Sequence, residues 1–94
     1  MHSFELYRKY RWLIIELADE RRCGPLSLTS LHALLQEFQD TAAAVEPATA
    51  DFVCDELADQ LEHEAMRSTR KYRRDIFSAA VEALDDMTFP KPKP

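Results

Sequence analysis

Apolar residues recur along most of this chain at alternating spacings of three and four, the period of one face of an α-helix. Leu6, Tyr10, Leu13 and Leu17 form the first such stripe, widened by Tyr7, Ile14 and Ala18. It predicts a helix from about Ser3, whose hydroxyl suits an N-cap, to Arg22. Gly24 suits the position just past a helix end, and Pro25 cannot continue the helix. Trp12 and Ile15 fall off the stripe. A helix packed on one side only has no use for apolar residues there. The first helix therefore either lies centrally or carries a second apolar face for a partner.

The second stripe is Leu28, Leu31, Leu35, Phe38, Ala42 and Val45, broadened by Leu34 and flanked by His32. It predicts a helix from Ser27 or Leu28 to Val45. The seam is too short for a free-standing coiled coil and reads as a core-facing face. Glu46-Pro47 ends it, because proline disfavours helical geometry in the residue before it. From Ala48 to Thr88 there is no Gly, Pro or Asn. Here the stripe runs Cys54, Leu57, Leu61, Ala65, then weakly through Ser68 to Tyr72, Ile76, Ala79 or Ala80, Ala83 and Met87, with Phe77, Val81 and Leu84 beside it.

Two architectures fit this last segment. A single helix of about 40 residues would span roughly 60 Å and leave half its length uncovered. Alternatively the chain bends near Arg67-Ser68-Thr69, with Ser68 or Thr69 capping a new helix. Ordinary helix lengths favour the bend. The helix dipole opposes it, because five bases would crowd the positive end of the new helix. The fold class is all-α: a small bundle of three to four helices with short loops and no sheet. A four-helix bundle is preferred over a three-helix form with one long C-terminal helix. One domain covers residues 1–88, and the alternating Pro and Lys of 89–94 form an extended or disordered tail.

Composition supports this picture. A single Gly in 94 residues leaves little room for β-turns or glycine-rich active-site loops. Cys23 and Cys54 make no disulfide scaffold, and apolar runs as short as Trp12 to Ile15 cannot span a membrane. A cytoplasmic protein with free thiols is the expectation.

Charge adds the main functional clue. The net charge is −5, yet no Lys or Arg lies between Cys23 and Met66, a span with nine carboxylates. Asp51, Asp55, Asp59 and Glu62 run along one helix face at a rise of about 6 Å per step, near the spacing of phosphates along a strand. Bases follow at once: Arg67, Arg70, Lys71, Arg73 and Arg74, with Tyr72 among them. The motif RKYR occurs at Arg8–Arg11 and again at Arg70–Arg73, an echo that an arginine-rich helical chain can produce by coincidence.

Catalytic and metal motifs are lacking. His2, His32, His63, Cys23 and Cys54 have no ligand spacing, and LEHEAMR lacks the second His of a zinc helix. The helix-Gly-helix corner around Gly24 has the outline of a DNA-reading turn. Its second helix, SLTSLHALLQEF, offers no Lys, Arg or Asn to phosphates or base edges.

The reading is therefore of a non-enzymatic protein-binding module, a small regulator, inhibitor or adaptor with no cofactor and no metal. Its candidate partner-binding residues are Trp12, Ile15, Arg67, Arg70, Lys71, Tyr72 and Arg74, and a homodimer belongs to the same reading. One alternative is nucleic-acid binding through 67–74, which the negative net charge disfavours. Another is an acidic nucleic-acid mimic using Asp51, Asp55, Asp59 and Glu62.

Overall fold

The computed structural model describes residues 3–19, 26–45 and 47–89. Among these residues the chain forms four helices and no strand: α1 (Ser3–Asp19), α2 (Leu26–Val45), α3 (Ala50–Arg67) and α4 (Lys71–Asp85). The bend version of the last segment is therefore the one adopted. Ser68 and Arg70 are extended, with ψ of 128° and 130°, and this interrupts the helical hydrogen-bond ladder. A continuous helix over α3, the bend and α4 would reach about 54 Å, whereas the long axis of the molecule is 45 Å.

Each hairpin runs antiparallel. The Tyr10 hydroxyl meets Thr41 Oγ1 across α1 and α2 at 3.3 Å. The Cys54 thiol donates to the Leu84 carbonyl across α3 and α4 at 3.3 Å. The two hairpins stack so that α1 lies beside α3. Arg11 reaches Glu64, and Gln39 of α2 donates to the Thr88 carbonyl beyond α4. The most extensive packing is between α3 and α4, and α2 and α3 touch least.

Burial follows the stripes in outline, departing from them at the ends of α2 and along α4, where Ala79 and Ala83 are half-buried and Phe77 and Leu84 of the neighbouring row are buried. Leu6, Tyr10, Ile14, Leu17 and Ala18 of α1 are buried, with Tyr7 and Leu13 at the margin. Leu31, Leu35, Phe38 and Ala42 of α2 are buried, but Leu28 and Val45 are exposed because they lie near its ends. Val53, Cys54, Leu57 and Leu61 of α3 meet Ile76, Phe77, Ala80 and Leu84 of α4. Tyr10 and Phe38 pack edge to face, with centroids 5.3 Å apart and planes at 72°.

Two local expectations change, while the cap expected of the Ser3 hydroxyl lies outside the described side chains. The residue capping α4 is Arg70, and it makes no side-chain capping bond, so neither Ser68 nor Thr69 plays that part. Phe89, assigned to the tail on account of its neighbouring prolines, is buried against the core, which extends the described fold by one residue. The expected end of the first helix at Arg22 and the Pro/Lys tail from Pro90 lie outside the described residues.

Candidate functional site

Among the described residues, the cross-helix charge pairing gathers at the bend between α3 and α4, and the reason is a buried carboxylate. Glu64 continues the stripe Leu57, Leu61 at the next spacing of three, so the helix turns it inward, where only 7% of its side chain is exposed. A carboxylate so placed needs partners. Three helices supply them. Arg11 Nη2 of α1 donates to Glu64 Oε1 at 3.0 Å, and Arg67 Nη2 of α3 donates to the same oxygen at 2.6 Å. Arg73 Nη2 of α4 stands 4.0 Å from Oε2.

Around this centre the bend is fastened by hydroxyl and guanidinium groups. Ser68 Oγ donates to the Glu64 carbonyl at 2.7 Å, which satisfies one of the free acceptors at the end of α3. Arg73 donates to Ser68 Oγ at 3.2 Å and to Asp19 Oδ1 at 2.8 Å, and its guanidinium lies 5.1 Å from the centre of the Phe77 ring. Among the described residues, one polar side-chain atom, Arg11 Nε, is buried without a partner. The RKYR echo takes on a structural meaning here. Its last arginine, Arg11 in the first copy and Arg73 in the second, approaches Glu64 from a different helix in each case.

The predicted basic cluster is thus divided. Arg67 is drawn toward Glu64, and Lys71 pairs along its own helix with Asp75 at 3.1 Å. Arg70 and Arg74 are exposed and form no ion pair among the described residues. Tyr72 lies on the flank of α4 away from Arg74 and is 36% exposed. Arg67 and Arg70 line a shallow depression of about 260 Å³ together with Asp19, Ser68, Thr69 and Arg73.

A second depression, of about 500 Å³, lies beside Trp12, Ile15, Glu16 and Asp19 on α1. Asp19 borders both. Trp12, 58% exposed, and the half-buried Ile15 thus border a depression that shares Asp19 with the one lined by Arg67 and Arg70. Sequence spacing identified these residues separately. Their union across Asp19 depends on how α1 stacks on the α3–α4 hairpin.

Asp51, Asp55, Asp59 and Glu62 are all exposed on the outer side of α3. His63 Nδ1 lies 3.8 Å from Asp59 Oδ2. Beneath the stripe the Cys54 thiol is buried. Burial pushes its pKa up to about 12, and the nearby Asp55, Asp51 and Asp85 add to the shift. Such a thiol is a packing residue rather than a nucleophile at neutral pH. Burial also raises the Tyr10 phenol, and its bond to Thr41 partly opposes this. Cys23 and His2 lie outside the described residues. Among those described, no group of three or more His, Cys, Asp or Glu is placed to hold a metal ion. No helix among them is long and apolar enough to cross a membrane.

The fold and this surface define an all-α four-helix bundle with an arginine-rich bend. No protein-family model matches the chain, and neither a curated protein nor a solved structure matches it.

Proposed function

We propose that the chain is a non-enzymatic protein-binding module whose docking surface joins Trp12 and Ile15 of α1 to Arg67 and Arg70 at the bend. The observation that carries this reading is that Asp19 borders both the depression beside Trp12, whose indole is left 58% exposed, and the one lined by Arg67 and Arg70. Trp and Arg are the side chains that most often dominate interface energies. The partner this chemistry suits is a protein with an apolar pocket for the indole and carboxylates at its rim for Arg70. The reading includes a cytoplasmic setting, in keeping with a reduced, buried Cys54.

Nucleic-acid binding by the 67–74 cluster has less support, because Glu64, Asp19 and Asp75 already engage Arg67, Arg73 and Lys71. The acidic-mimic reading rests on the exposure of Asp51, Asp55, Asp59 and Glu62 alone.

The test is comparative capture from the native host, followed by titration of the purified candidate. A true partner is lost when bait carries Trp12→Ala or Arg70→Glu and retained with Phe52→Ala, an equally exposed aromatic on α3. Trp12→Ala should weaken the purified complex at least about tenfold, as expected of an anchor residue, while the bundle's own stability changes by less than about 0.5 kcal/mol. Equal binding by wild type and both variants would sink the proposal.

A further inference from the structure

The outward stripe of α4 is complementary to itself. Lys71, Arg74, Ser78, Glu82 and Asp85 are all exposed and recur at spacings of three, four, four and three, so they share one face of the helix. The spacing reads the same from either end about Ser78, but the charge reverses. Two bases precede the serine by seven and four residues, and two acids follow it by four and seven.

Among the described residues little answers these charges. Arg74 and Glu82 form no ion pair among the described residues. Lys71 reaches only Asp75 on its own helix, in a bond with both side chains well exposed, a type of pair that contributes little. A shallow groove beside the stripe adds the partly buried Ala65 and Val81.

We infer that this face is the contact surface of a homodimer, in which the α4 helices of two copies lie antiparallel with a two-fold axis at Ser78. That arrangement sets Lys71 and Arg74 of each copy over Asp85 and Glu82 of the other, so every charge meets an opposite one and each pairing occurs twice. A parallel arrangement would set bases on bases and acids on acids. The small Ser78 at the crossing allows the helices to approach closely. The contact is isologous and closes at two copies. It is independent of the docking surface proposed above, which uses α1 and the α1-facing side of the bend.

The test is sedimentation equilibrium of the full chain, under reducing conditions, at low and high salt. A dimer is expected at low salt that dissociates as salt is raised, because exposed pairs are screened. Arg74→Glu should weaken the dimer by about tenfold or more, since it replaces two attractions with two repulsions. Arg74→Glu combined with Glu82→Arg restores complementarity and should restore the dimer, with far-UV circular dichroism reporting an unchanged fold. In a Cys23→Ser, Cys54→Ala background, Ser78→Cys should form a disulfide-linked dimer on oxidation. A monomer at high concentration and low salt overturns the inference. So does a dimer indifferent to Arg74→Glu, or a double reversal that fails to recover. A lost docking partner with an intact dimer, or the reverse, separates this inference from the proposed function.

Discussion

Replacing Glu64 with Gln tests the bend with almost no change in shape. The carboxylate is 7% exposed, whereas the Arg11, Arg73 and Arg67 side chains around it are 35%, 25% and 71% exposed. Removing one member of a fully buried pair costs about 3–5 kcal/mol, because the other charge is stranded. Here the stranded groups are guanidinium groups that reach water, so the cost falls toward that of a charged hydrogen bond, about 1.5–3 kcal/mol. Arg67 contributes little of this despite its short bond, since it is mostly solvated. Arg11 and Arg73 contribute more, as they would face each other with no anion between them. The expected loss is about 2 kcal/mol, or a fall of roughly 8–16 °C in the melting temperature for a domain of this size. Urea denaturation followed by circular dichroism measures it, and the slope should stay unchanged. A cycle with Arg11→Met isolates the pair, with an expected coupling of about 1 kcal/mol. A Glu64→Gln variant within about 0.5 kcal/mol of wild type would refute the claim that this carboxylate fastens the bend.

Two further predictions concern the core. Phe38→Ala removes a fully buried ring packed edge to face on Tyr10, and should cost about 3–5 kcal/mol, enough to leave the domain marginal in a thermal melt. The Cys54 thiol keeps its proton in the fold up to about pH 12, whereas the unfolded thiol ionises from about 9.0. Ionisation in that window favours the unfolded chain, so the contribution is fully present below pH 9.0 and is lost as pH rises toward 12. Denaturation midpoints of Cys23→Ser should therefore fall more steeply over that range than those of Cys23→Ser with Cys54→Ala. Parallel slopes would contradict the burial argument.

The all-α class and much of the core were legible in the sequence, because a spacing of three and four translates directly into a buried face, whereas the same spacing left open whether the last segment is one helix or two. Leu31, Leu35, Phe38 and Ala42 are buried as that spacing requires. The ends were less legible. Leu28 and Val45 keep the spacing but lie near the ends of α2, where neighbours no longer cover them. Trp12 was legible as an outlier, yet its neighbourhood was not. That Asp19 borders both its depression and the one lined by Arg67 and Arg70 is set by the stacking of two hairpins, and no local pattern encodes that. Glu64 carried a signal that could have been read, since it falls at the next core position after Leu57 and Leu61.

The bend itself turned on a conflict between two local rules, and Glu64 explains how it is resolved. The dipole of α4 disfavours bases at its first turn, and the helix begins with Lys71, Arg73 and Arg74 after Arg70. A continuous helix would have avoided that repulsion. Ending α3 at Arg67, however, lets Ser68 close the last turn and lets Arg73 swing back to Asp19 and Ser68. Arg11, Arg67 and Arg73 then share one carboxylate from three helices. Part of the positive charge that opposes the α4 terminus is thus neutralised from outside that helix. Local charge arithmetic could not include Arg11, which lies 53 residues away in the chain from Glu64. Of the cluster from 67 to 74, Arg70 at the bend and Arg74 on the outer stripe of α4 have no carboxylate partner among the described residues. They are also the ones on which the docking surface and the dimer face respectively depend.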